Sequence, residues 1–398
     1  DSDWSSDVCS SDLKDRVVQK LTGGLGQLCE KRGIDFVRGT ARFQQSNSLL
    51  VTKTDDGSEQ QLSFDHAVLA TGSLPGSIPC VIESPRVMTS RCALDLEEIP
   101  ERLLVVGGGY IGLELGQVYA ALGSRVHVVE MLPQILSTAD RDLARPLVTR
   151  LKRDFADIRV KTKVVGMDDG DDGISVTFEG PDGETRTDEY DKIMLAVGRK
   201  PNLGEVGLEN TDVRVGEDGY IKVDQQRRTD DASVFAVGDI VGEPALAHKA
   251  TYEARVAVEA IAGRNSRYDP VVIPAVVFSD PEIAWCGLTE QQAEEQGIDV
   301  AVSRFPWAAS GRAVTLGRTD GVTKLLMDPE SDRVLGMGVA GHGAGELIGQ
   351  GVIAMEMGAV AEDLALMVQQ HPSLSETVLE TAEHYYGQSI HYIGRNGG

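Results

Sequence analysis

Gly107, Gly109 and Gly112 stand at G-x-G-x-x-G spacing inside LLVVGGGYIGLELGQVYAALGSRVHVVE, residues 103–130. Each has a mechanical role in a phosphate-binding turn. The first allows the tight turn, the second lets a pyrophosphate approach the backbone, and the third lets helix and strand pack closely. Unbonded N–H groups and the dipole at the start of the following helix would hold the phosphates. Glu130 ends the next hydrophobic run, about 20 residues on, where a carboxylate can accept both ribose hydroxyls. Its charge would repel a 2′-phosphate, so the pattern points to NAD rather than NADP. Gly108, Tyr110, Ile111 and Glu114 lie in the same segment and are assigned to the same cofactor surface.

A second chemical signal lies near the carboxyl end. His371 precedes Pro372, and Glu376 follows at the head of an expected helix. A nearby carboxylate can orient an imidazole, fix its tautomer and stabilise the imidazolium. Taken alone, the pair also reads as a histidine beside a helix cap and a surface acid. Asp239 ends Phe235-Ala236-Val237-Gly238-Asp239. An acid there can take a hydroxyl-rich ligand, although Gly-Asp after a strand is also a common turn. Among the other histidines, His127 falls inside a strand and His248 starts a helix. His66, His342, His384 and His391 have no partner at useful spacing.

The elements that must position these groups follow from apolar periodicity. Leu103–Val106 and Val126–Val129 read as strands around a helix reaching about Leu122. A helix over Asp140–Phe155, a strand over Ile158–Lys163 and a polar hairpin around Asp168–Gly173 and Pro181–Gly183 come next. The strand Lys192–Ala196 leads into Gly198, and loops at the carboxyl ends of parallel strands face the ligand. Upstream, a helix is expected over Asp15–Lys31, with strands at Asp35–Arg38, Leu49–Lys53 and His66–Leu69. Downstream, the strand Val234–Val237 precedes a helix over His248–Ala262. From Pro270 the texture is that of a separate α+β domain: strands at Val271–Phe278, Val300–Phe305 and Val322–Met327, then helices near Gly345–Met357 and Ala361–Met367. Trp307 and the helix Val352–Met357 suit either an interface or a core.

A net charge of −24 argues against nucleic-acid binding, which needs a basic surface. The chain is 41% hydrophobic without an apolar run long enough to span a membrane. Cys9, Cys29, Cys80, Cys92 and Cys286 form no C-x-x-C or C-x₄-C pair and no metal-ligand spacing with histidine, so no metal site and a reducing, cytoplasmic compartment are expected. Residues 1–13, DSDWSSDVCSSDL, are mostly Ser and Asp with no apolar period. They are expected not to pack and resemble translated adaptor sequence, with Lys14 as the first genuine residue.

Four segments together resemble the pyridine nucleotide–disulfide oxidoreductases: the glycine segment with Glu130, Ala70-Thr71-Gly72-Ser73, Phe235–Asp239, and His371-Pro372-Ser373-Leu374-Ser375-Glu376. Ala245-Leu246-Ala247-His248-Lys249 and the run Phe305–Ala313 are most similar to its members that oxidise dihydrolipoamide. The resemblance implies an α/β fold with two Rossmann-like domains, the FAD-binding one incomplete here, and a C-terminal α+β dimerisation domain. The implied boundaries are 14–98 with 226–269 for FAD, 99–225 for NAD and 270–398 for the dimer interface. Asp239 would bind the ribityl chain of FAD, Ala247 would lie near the flavin, and Gly39, Thr71, Gly72 and Ser73 would touch FAD. Val164, Ala196, Gly198 and Arg199 would border NAD. His371, held by Glu376, would be the general base for the substrate dithiol and would act in the partner subunit of a homodimer. The implied substrate is dihydrolipoamide or a lipoyl-bearing protein, with a 2-oxo acid dehydrogenase complex as the wider partner. The family's N-terminal G-x-G-x-x-G and C-x₄-C redox disulfide do not occur in these residues, and the resemblance reads the chain as N-terminally truncated. A related flavin disulfide reductase, a transhydrogenase, or a non-catalytic NAD-binding and dimerising fragment are the competing readings.

Overall fold

The computed structural model describes residues 6–394, with side chains from Asp12 onward. No described helix is long and apolar enough to cross a membrane. The chain folds as two compact units, one up to Gly76 with Arg199–Asp269, the other Ser77–Gly198 with Pro270 onward.

The second unit is built on near-continuous apolar strands. Arg102–Val106 pairs in parallel with Arg125–Val129 on one side and Lys192–Leu195 on the other. Val87–Thr89 and Asp157–Arg159 complete the five-stranded sheet. Such strands need cover on both faces, and alternation shares the side chains between them. Leu103, Val105, Val126 and Val128 meet Leu113 of the helix Tyr110–Ala121 and Leu147 and Leu151 of the helix Arg141–Asp154. Leu104, Val106, Val129 and Ile193 face Ile174, Val176 and Phe178 of an antiparallel three-stranded sheet.

The same unit carries an antiparallel five-stranded sheet ordered Ala275–Val277, Ile283–Gly287, Val334–Ala340, Val322–Met327 and Ala301–Pro306. One face packs on the helices Ala344–Glu356 and Glu376–Tyr385. Leu143 of the Arg141–Asp154 helix lies against Gly338, where a Cβ would come within 2.3 Å of its side chain. The joint between the two sheets also contains Lys324, fully buried, whose ammonium lies 2.6 Å from Asp140 and 2.8 Å from Asp142 and also bonds Glu290. Arg304 bridges Asp142 and Glu290. These three carboxylates are close enough together to suggest a cation site, but the cation among them is the chain's own lysine.

The first unit holds the antiparallel sheet Gly39–Gln45, Ser48–Lys53 and Glu59–Ser63, the parallel pair Ala67–Leu69 with Val234–Ala236, and the pair Ser73–Pro75 with Arg199–Pro201. The helix Ala247–Ile261 follows.

Several sequence expectations need correction. Residues 77–98 belong with the NAD-type sheet, because Val87–Thr89 pairs in parallel with Lys192–Leu195. Residues 199–225 belong with the other unit, where Ile221 N–H donates to Ile240 and Phe43 N–H to Val206. The first helix spans Ser6–Lys31, so part of the segment expected to lack structure is helical. Its apolar residues Val17, Val18, Leu21, Leu25 and Leu28 are exposed. Residues 35–38 form no strand; pairing begins at Gly39. The strand expected over 158–163 is two, Asp157–Arg159 and Lys163–Asp169, broken where Lys161 takes a positive φ of 52°.

Candidate functional site

The glycine turn follows the buried strand Arg102–Val106. Gly107 has φ +109°, and a Cβ there would lie 2.3 Å from the Ala196 carbonyl oxygen; one on Gly112 would lie 2.3 Å from that of Gly107. These two glycines are fixed by backbone contact within the fold. Gly109, the N-cap of Tyr110–Ala121, has nothing within 4 Å of its Cβ position and opens to space. The helix carries no acid in its first turn, and first-turn N–H groups have no acceptor within a helix. The Glu130 carboxylate accepts from Gly108 N–H at 2.7 Å and from Leu132 N–H at 2.8 Å. Both oxygens are thereby aimed while each keeps a lone pair for a ribose hydroxyl. Gly198 has φ +100° and open space around it, and Ala196 donates its N–H to Val106.

The remaining residues assigned to NAD are placed differently. Val164 is buried in the core shared with Val106 and Val129. The Glu114 carboxylate accepts from Phe278 N–H at 2.8 Å, and burial pushes its pKa up despite that bond. Tyr110 and Ile111 open the helix behind Gly109. Arg199, expected at the NAD crevice, belongs to the first unit, because its guanidinium donates to Ser73 Oγ at 2.6 Å and to the Ser73 carbonyl at 2.7 Å. Ser73 Oγ in turn bonds Asp239. The structure thus joins Arg199, Ser73 and Asp239 in one polar chain.

Around that chain, Thr71 Oγ1 donates to the Asn202 carbonyl at 2.7 Å, Gly72 takes φ +68°, and Ala247 is exposed at the head of its helix. Gly39 has a reason within its own sheet, since a Cβ would lie 2.4 Å from the Thr52 carbonyl. Glu253, fully buried, accepts from Gly238 N–H at 2.7 Å and pairs with Lys249 and Arg227, both at 3.3 Å. Lys249 also donates to the Gly242 carbonyl. This buried cluster sets the turn that presents Asp239. Sequence reading missed it; the available signal was Lys249 and Glu253 at i,i+4 on a helix with a charge on its buried face.

His371 Nδ1 lies 2.8 Å from Glu376 Oε1, while Glu376 Oε2 accepts from Ser373 N–H at 2.7 Å. The carboxylate is held at both oxygens, and the imidazole is left with Nε2 as its free proton-binding atom. The His371 side chain is 71% exposed, that of Glu376 only 22%. Beneath the pair, Trp307 Nε1 donates to Thr323 Oγ1 at 2.9 Å, and Thr323 shares a bond with Thr377 at 2.8 Å. Trp307 is therefore core. The Ala344–Glu356 helix buries Leu347, Ile348 and Met355 and exposes Ile353. His371 and Glu376 line a cavity of about 240 Å³ with Ser310, Glu380 and His391. The expectation that His391 lacks a partner is corrected: its Nδ1 bonds Glu380, the next acid around the helix from Glu376. Eleven residues separate the two, and no helical spacing announces a contact made by chain reversal.

The chain matches two family models. Residues 3–254 match "Pyridine nucleotide-disulphide oxidoreductase", and residues 273–382 match its dimerisation domain. It is 43% identical over 375 residues to the dihydrolipoyl dehydrogenase of Vibrio parahaemolyticus, covering 94% of this chain and 78% of that one. It is 44% identical over 380 residues to that of Geobacillus stearothermophilus, covering 96% and 80%. Among solved structures, the HOCl-induced flavoprotein disulfide reductase RclA of Escherichia coli superposes with a TM-score of 0.86 at 28% identity, covering 94% of this chain and 85% of that one.

Proposed function

Since the chain belongs to the pyridine nucleotide-disulphide oxidoreductase family, whose members use FAD and NAD, we propose that it serves the NAD⁺-linked oxidation of dihydrolipoyl groups, with His371 as general base. The observation that carries this is the doubly held Glu376 carboxylate, 2.8 Å from His371 Nδ1. With Nδ1–H donated to Glu376, Nε2 is unprotonated and can take a thiol proton. The thiolate so formed, unlike the thiol, is the nucleophile for thiol–disulfide exchange. Glu376 stabilises the resulting imidazolium and keeps the ring from turning. The exposure of His371 suits a base that works on a surface completed by a second copy of the chain.

On the nucleotide side, Gly109 leaves room for the pyrophosphate at the helix start, and Glu130 takes the ribose hydroxyls and disfavours a 2′-phosphate. On the flavin side, Asp239, oriented by Ser73 and Arg199, offers a carboxylate to a hydroxyl-rich chain. FAD, when bound, supplies the two-electron relay between dithiol and NAD⁺. The substrate assignment is supported by the 43–44% identity to dihydrolipoyl dehydrogenases, and Glu130 favours it over an NADPH-linked reductase.

The test is His371→Gln in a flavin-loaded enzyme carrying the family's redox disulfide. Loss of a general base should slow dihydrolipoamide oxidation by about 10²-fold or more. Wild-type turnover in that variant would remove His371 from the mechanism.

A further inference from the structure

Oxidation of a dithiol removes two S–H protons, and only one leaves with the electron pair as part of the hydride in NADH. The other must leave the site, and a single base must be cleared before it can act again. His371 therefore needs a proton acceptor nearby. We propose that Glu380 and His391 form a second proton-binding pair in the His371 cavity, taking up the proton that His371 removes and releasing it to solvent. This rests on the base role assigned to His371 above.

The geometry repeats one motif on one helix. Glu376 and Glu380 are one turn apart on Glu376–Tyr385, so they share a face. Each binds a histidine through Nδ1, and all four residues line the same cavity. Glu380 is 5% exposed and is also held by Ser389 Oγ and by His391 N–H. With Nδ1 committed to Glu380, His391 binds and releases a proton at Nε2. The cavity, about 240 Å³, has room for several waters at roughly 30 Å³ each. The transfer moves one proton from the imidazolium of His371 to neutral His391 through water. It returns His371 to its basic form and moves no electrons.

The charged surroundings let His391 hold a proton. Glu380, through its hydrogen bond and charge, raises the proton affinity of His391, and Glu376 and Glu383 add to it against a desolvation penalty. His384, on the same helix, packs at a tilt against Tyr392. From the neighbouring strand, Arg304 is committed to Asp142 and Glu290. Arg312, from the helix Gly311–Leu316, lines a separate cleft with His342 and Gln370.

The first test uses the 398-residue chain and follows histidine titrations by NMR. Glu380→Gln should lower the His391 midpoint, because it removes the carboxylate that bonds Nδ1. An unmoved His391 midpoint in Glu380→Gln would overturn the pair as a proton-binding unit. The second measures dihydrolipoamide oxidation by flavin-loaded enzyme carrying the redox disulfide. His391→Asn should slow turnover about tenfold in dilute buffer and recover when imidazole is added as a soluble acceptor. Unchanged turnover, or loss that imidazole does not restore, would reject the relay. If the flavin-loaded enzyme leaves dihydrolipoamide unoxidised, the substrate assignment falls, and the His391 titration still decides the Glu380–His391 pair.

Discussion

A methyl group on Gly112 would meet the Gly107 carbonyl at 2.3 Å, whereas one on Gly109 would point into open space. The two glycines therefore fail in different ways when replaced. Gly112→Ala should destabilise the fold by about 1–3 kcal/mol, because backbone must give way. Gly109→Ala should leave urea unfolding unchanged and weaken NAD⁺ binding about tenfold, or 1.4 kcal/mol, by filling the pyrophosphate position. Equal stability losses in the two variants would refute this division. At this scale the glycine turn was legible because its spacing is local and each position has a separate steric cause. The bond from Arg199 to Ser73 was not legible, because 126 positions separate them. Beyond its i,i+4 pairing with Lys249, Glu253 was hard to read because a fully buried carboxylate is explained only when Arg227 and the Gly238 amide also converge on it in three dimensions.

Lys324 joins two elements at a cost that only its partners offset. The strand Val322–Met327 buries its ammonium completely between Asp140 and Asp142, at the head of the Arg141–Asp154 helix. Burial alone would raise the Asp142 pKa, but Lys324 and Arg304 together bring it below the ordinary carboxylate range. Removing the lysine leaves these acids without their buried counter-charge, so Lys324→Met should cost about 3 kcal/mol in urea unfolding. The C-terminal clasp on Glu380 has a pH signature of its own. His391 is raised, so its contribution is full below the ordinary histidine pKa and fades as pH rises through the raised value. Burial favours the protonated form of Glu380, yet Ser389 and His391 together lower its pKa; its contribution is full above the ordinary carboxylate value and fades as pH falls through the lowered one. The clasp is therefore tightest between about 4.5 and 6.5. Amide exchange at Ser389–Ile393, corrected for its intrinsic pH dependence, should show more protection at about pH 6 than at about pH 9. Strands such as Arg102–Val106 were legible as apolar runs. Val334–Ala340 was not, since Gly336 and Gly338 dilute it, each required where Leu288 or Leu143 approaches too closely for a Cβ.

The dimerisation domain implies a homodimer, and it leaves Ile353, Met357 and Val368 on its surface at 65%, 80% and 99% exposure. Charges at Ile353 and Val368 should yield monomers by light scattering without unfolding the chain, because neither side chain belongs to the core of its own copy. The two cofactor regions differ in what they bring. The second unit holds a five-stranded parallel sheet, a glycine turn at a helix start and Glu130 aimed by two amides. The described residues of the first unit offer Asp239 with Ser73 and Arg199, but their parallel strands are a single pair, and no glycine triplet opens a helix beside it. A pyrophosphate there lacks the glycine turn that lets phosphate reach the backbone N–H groups in the second unit. The 398-residue chain should therefore bind NAD⁺ in a calorimetric titration while retaining far less than one FAD per chain through gel filtration. Stoichiometric flavin would mean that the Asp239 turn and its buried Glu253 support suffice to hold FAD, and the first unit would have to be regarded as a complete site.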